Sequence, residues 1–112
     1  MDNILLLLIT ALKRVGRGEL LSAHAFLAMA ADMLLNLERQ SQHLDSDADV
    51  LDPLRRVERN HPDLARVLHE SLFVPPGRGV KRLAGHVGMQ HSQSLMEGQR
   101  RVLERLSNLY RR

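Results

Sequence analysis

"ELLSAHAFLAMAADMLLNLERQSQ", residues 19–42, decides how this chain folds. At about 100° per residue, Ser22, Asp32, Asn36, Arg39 and Gln40 gather in one narrow sector. Almost everything else in the stretch is apolar. That pattern predicts a long central helix, mostly buried, with a thin polar stripe toward water.

Helical signals continue on both sides of it. Before it, "ILLLLITAL" predicts a helix over about 3–15, with Asp2 as N-cap and Gly16 as the left-handed residue that ends it. Its apolar residues run nearly all the way round, so it needs cover on several sides. After it, Asp52-Pro53 opens a short third helix to Asn60. His61 precedes a proline and is biased away from helical dihedrals. Pro62 starts a fourth helix with Leu64, Val67, Leu68 and Leu72 on one face. "VPPGRG", residues 74–79, is the clearest break in the chain. A fifth helix is expected over about 79–110, because Val80, Ala84, Val87, His91, Leu95, Val102, Leu106 and Leu109 form one stripe. Gly85, Gly88 and Gly98 weaken it locally, and a kink or a close helix contact is expected near 85–88. The fold class is therefore all-α: one domain over residues 1–112, a bundle of about five helices with a long central and a long C-terminal helix.

Composition narrows the function classes. With 112 residues and 44% hydrophobic content, the chain has enough apolar material for one modest core. Aromatics are only 3%, which disfavours both a β-sandwich and a stacking platform for bases. The net charge of +3 allows an anionic ligand without demanding nucleic acid, and no nucleic-acid partner is expected. There is no cysteine, which rules out disulfides and thiolate chemistry and fits a cytoplasmic location. The apolar opening is about half the length that spans a bilayer and lacks the flanks of a signal peptide, so no membrane partner is expected.

No metal site is expected. Asp45, Asp47 and Asp49 alternate in an acidic loop, but Val50 stands where a calcium loop needs glycine. His24, His86 and His91 do not make a metal motif. A lone helical histidine among leucines, such as His24 or His91, reads as a packed, hydrogen-bonded core residue.

The densest chemistry lies in "DPLRRVERNHPDL", residues 52–64. Leu54, Val57 and Glu58 share one side of a helix, and Arg55, Arg56 and Arg59 point the other way. Glu58 sits at the edge of the core side and needs a partner, either an arginine such as Arg14 or Arg17 or a ligand in a cleft. Arg56 and His61 stand in an Arg-x4-His spacing. Five helical positions are about 140° of rotation, so the two diverge unless the helix ends between them.

"ALKRVGRGELLSAHAFLAMAADMLLNLER", residues 11–39, followed by "DPLRRVERNHPDLARVL", residues 52–68, resembles the C-terminal helical domain of bacterial nucleotidyltransferases of the lincosamide and aminoglycoside adenylyltransferase type. The resemblance implies a non-catalytic helical domain that forms one wall of the acceptor-substrate cleft and contributes to dimerisation. It places substrate contact at Arg17, Glu19, Arg55, Arg56 and Glu58. Catalysis would belong to an N-terminal or separate nucleotidyltransferase domain that binds magnesium and a nucleoside triphosphate. This chain holds no cofactor of its own on that reading, and its partners are that domain, a second copy and a small-molecule acceptor. The alternatives are a dimeric helical ribonuclease of the HEPN type using Arg56 and His61, or a helical protein-interaction module.

Overall fold

The structure is a computed structural model and describes residues 1–41 and 57–108. The described residues form an all-α bundle without a strand. In chain order it contains α1 (Asp2–Gly16), α2 (Leu20–Ser41), α3 (Val57–Asn60), α4 (Pro62–Leu72), α5 (Pro76–Gln90) and α6 (Glu97–Asn108), with one 3-10 turn at Ser92–Ser94. The acidic 45–49 loop and Arg55 and Arg56 lie outside the described residues.

The spine is α2. Ala23, Leu27, Ala30, Ala31, Leu34 and Leu35 repeat at helical spacing and are all buried. By length and composition α2 could cross a bilayer; here that apolar face is the centre of the bundle. α1 packs antiparallel along it through Ile4, Leu5, Leu8 and Ala11. α5 adds Val80, Leu83, Ala84 and Val87, and α4 adds Ala65, Val67 and Leu68. Cover of the first two helices is incomplete. Leu6 on α1 is 62% exposed, and Leu21 and Met29 on α2 are 90% and 51% exposed. These two α2 residues lie on the same side as Asp32, Asn36 and Gln40, so the expected polar stripe is partly apolar. Arg39, expected in that stripe, is buried instead.

The turn between α1 and α2 differs from expectation in one detail. Helix α1 runs through Gly16, Arg17 is a right-handed C-cap, and the left-handed residue is Gly18 at φ 77°. Gly18 donates to the carbonyl of Val15 and Glu19 to that of Arg14, closing the last turn.

The predicted long final helix is two helices. α5 runs unbroken through Gly85 and Gly88: a side chain at Gly85 would meet nothing within 4 Å, and one at Gly88 would stand 4.0 Å from Leu103 Cβ on α6. The break comes at 91–96 instead. His91 leaves helical geometry, Leu95 is extended and buried, and the Gln99 side chain accepts the Met96 N–H to start α6. α6 then folds back on α5 and buries Leu103 and Leu106. Gln99 also donates to Asp2 at the start of α1, tying the two ends of the bundle together.

The α4–α5 crossing is the tightest point. A Cβ at Gly79 would collide with the carbonyl oxygen of Ser71 on α4 and stand 2.6 Å from Leu27 Cδ2 on α2. Only glycine lets α4, α5 and α2 meet there. The fully buried Ser71 hydroxyl donates 2.8 Å to the carbonyl of Val67 and leaves no polar group stranded. Gly79→Ala should therefore destabilise the fold by about 1–3 kcal/mol through overpacking. Gly85→Ala, with open space around it, should stabilise by up to about 1 kcal/mol. Paired thermal melts decide this, and equal melting of Gly79→Ala and the parent would contradict the close crossing.

Candidate functional site

At the C-terminal end of α2 the apolar face is interrupted by a carboxylate. Glu38 is 4% exposed, in line with Leu27, Leu34 and Ala31. Its Oε1 lies 2.7 Å from Nε2 of His86 and 3.0 Å from Nε2 of His91. His86 belongs to α5 and His91 is its C-cap, at φ −114°. The two imidazoles converge on one oxygen although they stand five positions apart. Burial pushes the Glu38 carboxyl up, but hydrogen bonding and charge from His86, then from His91, outweigh it and hold the pKa below the usual 4.5. Glu38 is thus a carboxylate at neutral pH and can only accept, so each imidazole carries its proton on Nε2.

The same corner opens into a groove between α2, α4 and α5, about 530 Å³ in volume. Glu38, His61, Arg66, Arg82 and His86 line it, with Val67 and Met89 as its apolar part. Arg39 and Asp63 also reach it. α4 points its N-terminus here: Pro62 is its first residue and His61 its N-cap, at φ −140°, as expected for a residue before proline. Arg66 stands 3.6 Å from Asp63, and Arg82 donates 3.1 Å to Glu70, both near the surface. Among the described residues, no group of three or more histidines or carboxylates is arranged to hold a metal ion.

The residues expected to touch substrate divide between two places. Arg17 and Glu19 are brought together at the α1–α2 turn, where Glu19 lies 3.7 Å from Arg14 and 4.0 Å from Arg17. Arg14 also lies over the Phe26 ring, 5.6 Å from its centroid. Glu58 sits in α3, exposed, with Nε2 of His69 at 3.9 Å. Its neighbour is thus a histidine of α4, not Arg14 or Arg17. Those arginines are near the start of α2, and the rise from Glu19 to Glu38 is about 28 Å. His61 lines the groove. His91 is packed and hydrogen-bonded, as expected, whereas His24 is exposed.

Glu38 was missed by reading along the chain, yet a signal for it exists. It stands about 150° from the centre of the polar stripe, in the middle of the apolar face of α2. A carboxylate there demands partners, and His86 and His91 supply them. Comparison with family models, curated proteins and solved structures finds no match.

Because the folded-state pKa of Glu38 is depressed, its stabilisation is complete above about 4.5 and is lost as pH falls below that value through the lowered pKa. Glu38→Gln should cost about 1–3 kcal/mol at pH 7, since both imidazole donors then face a neutral amide oxygen in place of a charged acceptor. It should also flatten the acid limb of stability. Melting temperatures of both proteins from pH 7 to pH 3 test this, and parallel curves would show that Glu38 does not set the acid limb.

Proposed function

We propose that this chain is a helical substrate-binding and dimerisation domain of a nucleotidyltransferase-like protein, with the groove between α2, α4 and α5 as its part of the acceptor cleft. The observation that carries this reading is the groove itself. At about 530 Å³ it is within the range of small-molecule sites and combines an apolar wall with convergent polar groups from three helices. The open side of α1 and α2 supports the second half of the proposal. Leu6, Leu21 and Met29 are more than half exposed, and cover by a catalytic domain or a second copy would remove them from water. Nucleotide transfer itself, with magnesium and a nucleoside triphosphate, is assigned to that other domain, and the acceptor is assigned to the class of hydroxylated antibiotics that the sequence resemblance implies.

The purified chain with magnesium, ATP and a lincosamide or aminoglycoside should yield no adenylylated product, by mass spectrometry of the antibiotic. Unaided transfer would overturn the proposal. One observation favours a second reading: His61 of the Arg-x4-His spacing lines the same groove as Arg66 and Arg82. A ribonuclease would use His61 as acid or base and arginine to hold phosphate charge. Incubation with single-stranded RNA distinguishes the two. The domain reading expects intact RNA, and cleavage lost in a folded His61→Ala variant would replace it with the ribonuclease reading.

A further inference from the structure

Glu38 fixes more than the packing of α5. It also decides what His86 presents to the groove. We infer that His86 reads the acceptor molecule: its Nδ1, kept as a hydrogen-bond acceptor by the carboxylate behind the ring, receives a hydroxyl group of the ligand. This rests on reading the groove as an acceptor site and names the residue that selects for the acceptor's hydroxyl.

The tautomer follows from the partner. Nε2 of His86 lies 2.7 Å from Glu38 Oε1, and a carboxylate only accepts, so the ring proton stays on Nε2. The two nitrogens stand on opposite edges of the imidazole. With Nε2 turned in toward α2, Nδ1 faces away from it with its lone pair bare. Among the described residues nothing bonds to Nδ1. It is not sealed off either. The His86 side chain is 16% exposed, no nitrogen of it is both buried and unpaired, and the opening that it lines is the groove.

The described charges of the groove already have partners. Arg66 stands beside Asp63 and Arg82 beside Glu70, Arg39 is buried and engaged, and Glu38 takes two imidazole donors. A fixed neutral acceptor makes a different offer. It rewards an O–H aimed along its lone pair and gains nothing from an ether, a methyl group or a halogen in that place. A hydroxyl carried on an apolar frame suits it, since Val67 and Met89 line the same opening and receive the carbon part. Selectivity from one such contact is large, because the wrong ligand displaces water and leaves the acceptor unpaired. His86 also sits on a helix pinned to its neighbours at Gly79 and at His91, so the direction of the lone pair is set before a ligand arrives.

Isothermal titration of the full chain with lincomycin, and separately with kanamycin, tests this through two variants. His86→Gln keeps an amide N–H near the place of Nε2 and still donates to Glu38, but has no acceptor in the place of Nδ1. His86→Asn does the reverse. Whichever antibiotic binds the parent should bind His86→Gln at least tenfold more weakly and recover in His86→Asn. A merely structural His86 predicts the opposite order, with His86→Gln binding as the parent does. Melting temperatures check that the variants remain folded. NMR of the nitrogen-15-labelled full chain adds a readout of the ring itself: at pH 8 the His86 proton should reside on Nε2, and the Nδ1 resonance should move on saturation with the antibiotic. If His86→Asn does not fold, His86→Gln and the NMR tautomer decide. A proton on Nδ1, or equal binding by the parent and His86→Gln, overturns the inference and leaves the acceptor reading in place. If neither antibiotic binds, both fall.

Discussion

One buried carboxylate organises the working end of this molecule. Glu38 lies where the apolar face of α2 would otherwise continue, and a charge in that place is tolerable only with hydrogen-bond partners in fixed positions. His86 and His91 supply them from the last turn of α5 and its cap. The pair of contacts fixes how far α5 travels along α2. It also sets where α5 stops, since His91 takes up the cap geometry from which it reaches Oε1. The reversal into α6 follows within a few residues.

The opposite end of α5 is fixed by sterics rather than charge. Gly79 lets its backbone meet the Ser71 carbonyl and Leu27 at a separation that no side chain would permit. The helix is thus pinned to α2 at two places, by the absence of a methyl group at one end and by a shared carboxylate oxygen at the other. α4 is caught at the first of these contacts and directs its own N-terminus back to the second. The groove is what remains between three helices held in that way. Its shape depends on backbone-level constraints, while on the solvent side Arg66 and Arg82 each stand beside a carboxylate, Asp63 and Glu70.

The helices were legible because their signals are local. Pro62 and the 74–79 break marked the start of α4 and α5, and the stripe from Val80 to Leu106 marked the buried faces of α5 and α6. The split of that stripe into two helices was not legible. A hairpin of two helices keeps each buried face at helical spacing, so periodicity continues across a six-residue reversal that it cannot register. The glycines drew attention to 85–88, where a side chain would meet at most Leu103 at 4.0 Å, whereas the glycine that matters most for packing is Gly79, three residues after Pro76 in a stretch easily taken for a turn. The site was legible only in fragments. His61 was singled out and does line the groove. Arg17 and Glu19 meet at the α1–α2 turn, whereas Glu58 stands beside His69 of α4, a neighbour that sequence order does not reveal. Glu38 could have been found by asking which charge stands on an apolar face, a question that the polar stripe diverts toward Asp32 and Asn36.

A buried ionic cluster is a weak explanation of stability. Well-packed apolar residues of similar volume in place of Glu38, His86 and His91 would hold α2 to α5 as well or better, because they carry no desolvation penalty. Removing a single member is costly, but that measures the stranded partner rather than the worth of the whole. The arrangement does something that leucines could not. It holds an imidazole, His86, at the wall of an open groove with its Nε2 proton committed inward to a carboxylate. It also sets a nearly buried negative charge in that wall without letting it dominate the groove, since two histidines face it. On this argument the cluster fixes the polarity and rigidity of the groove, and the fold accepts its desolvation penalty at the end of α2 where the groove lies.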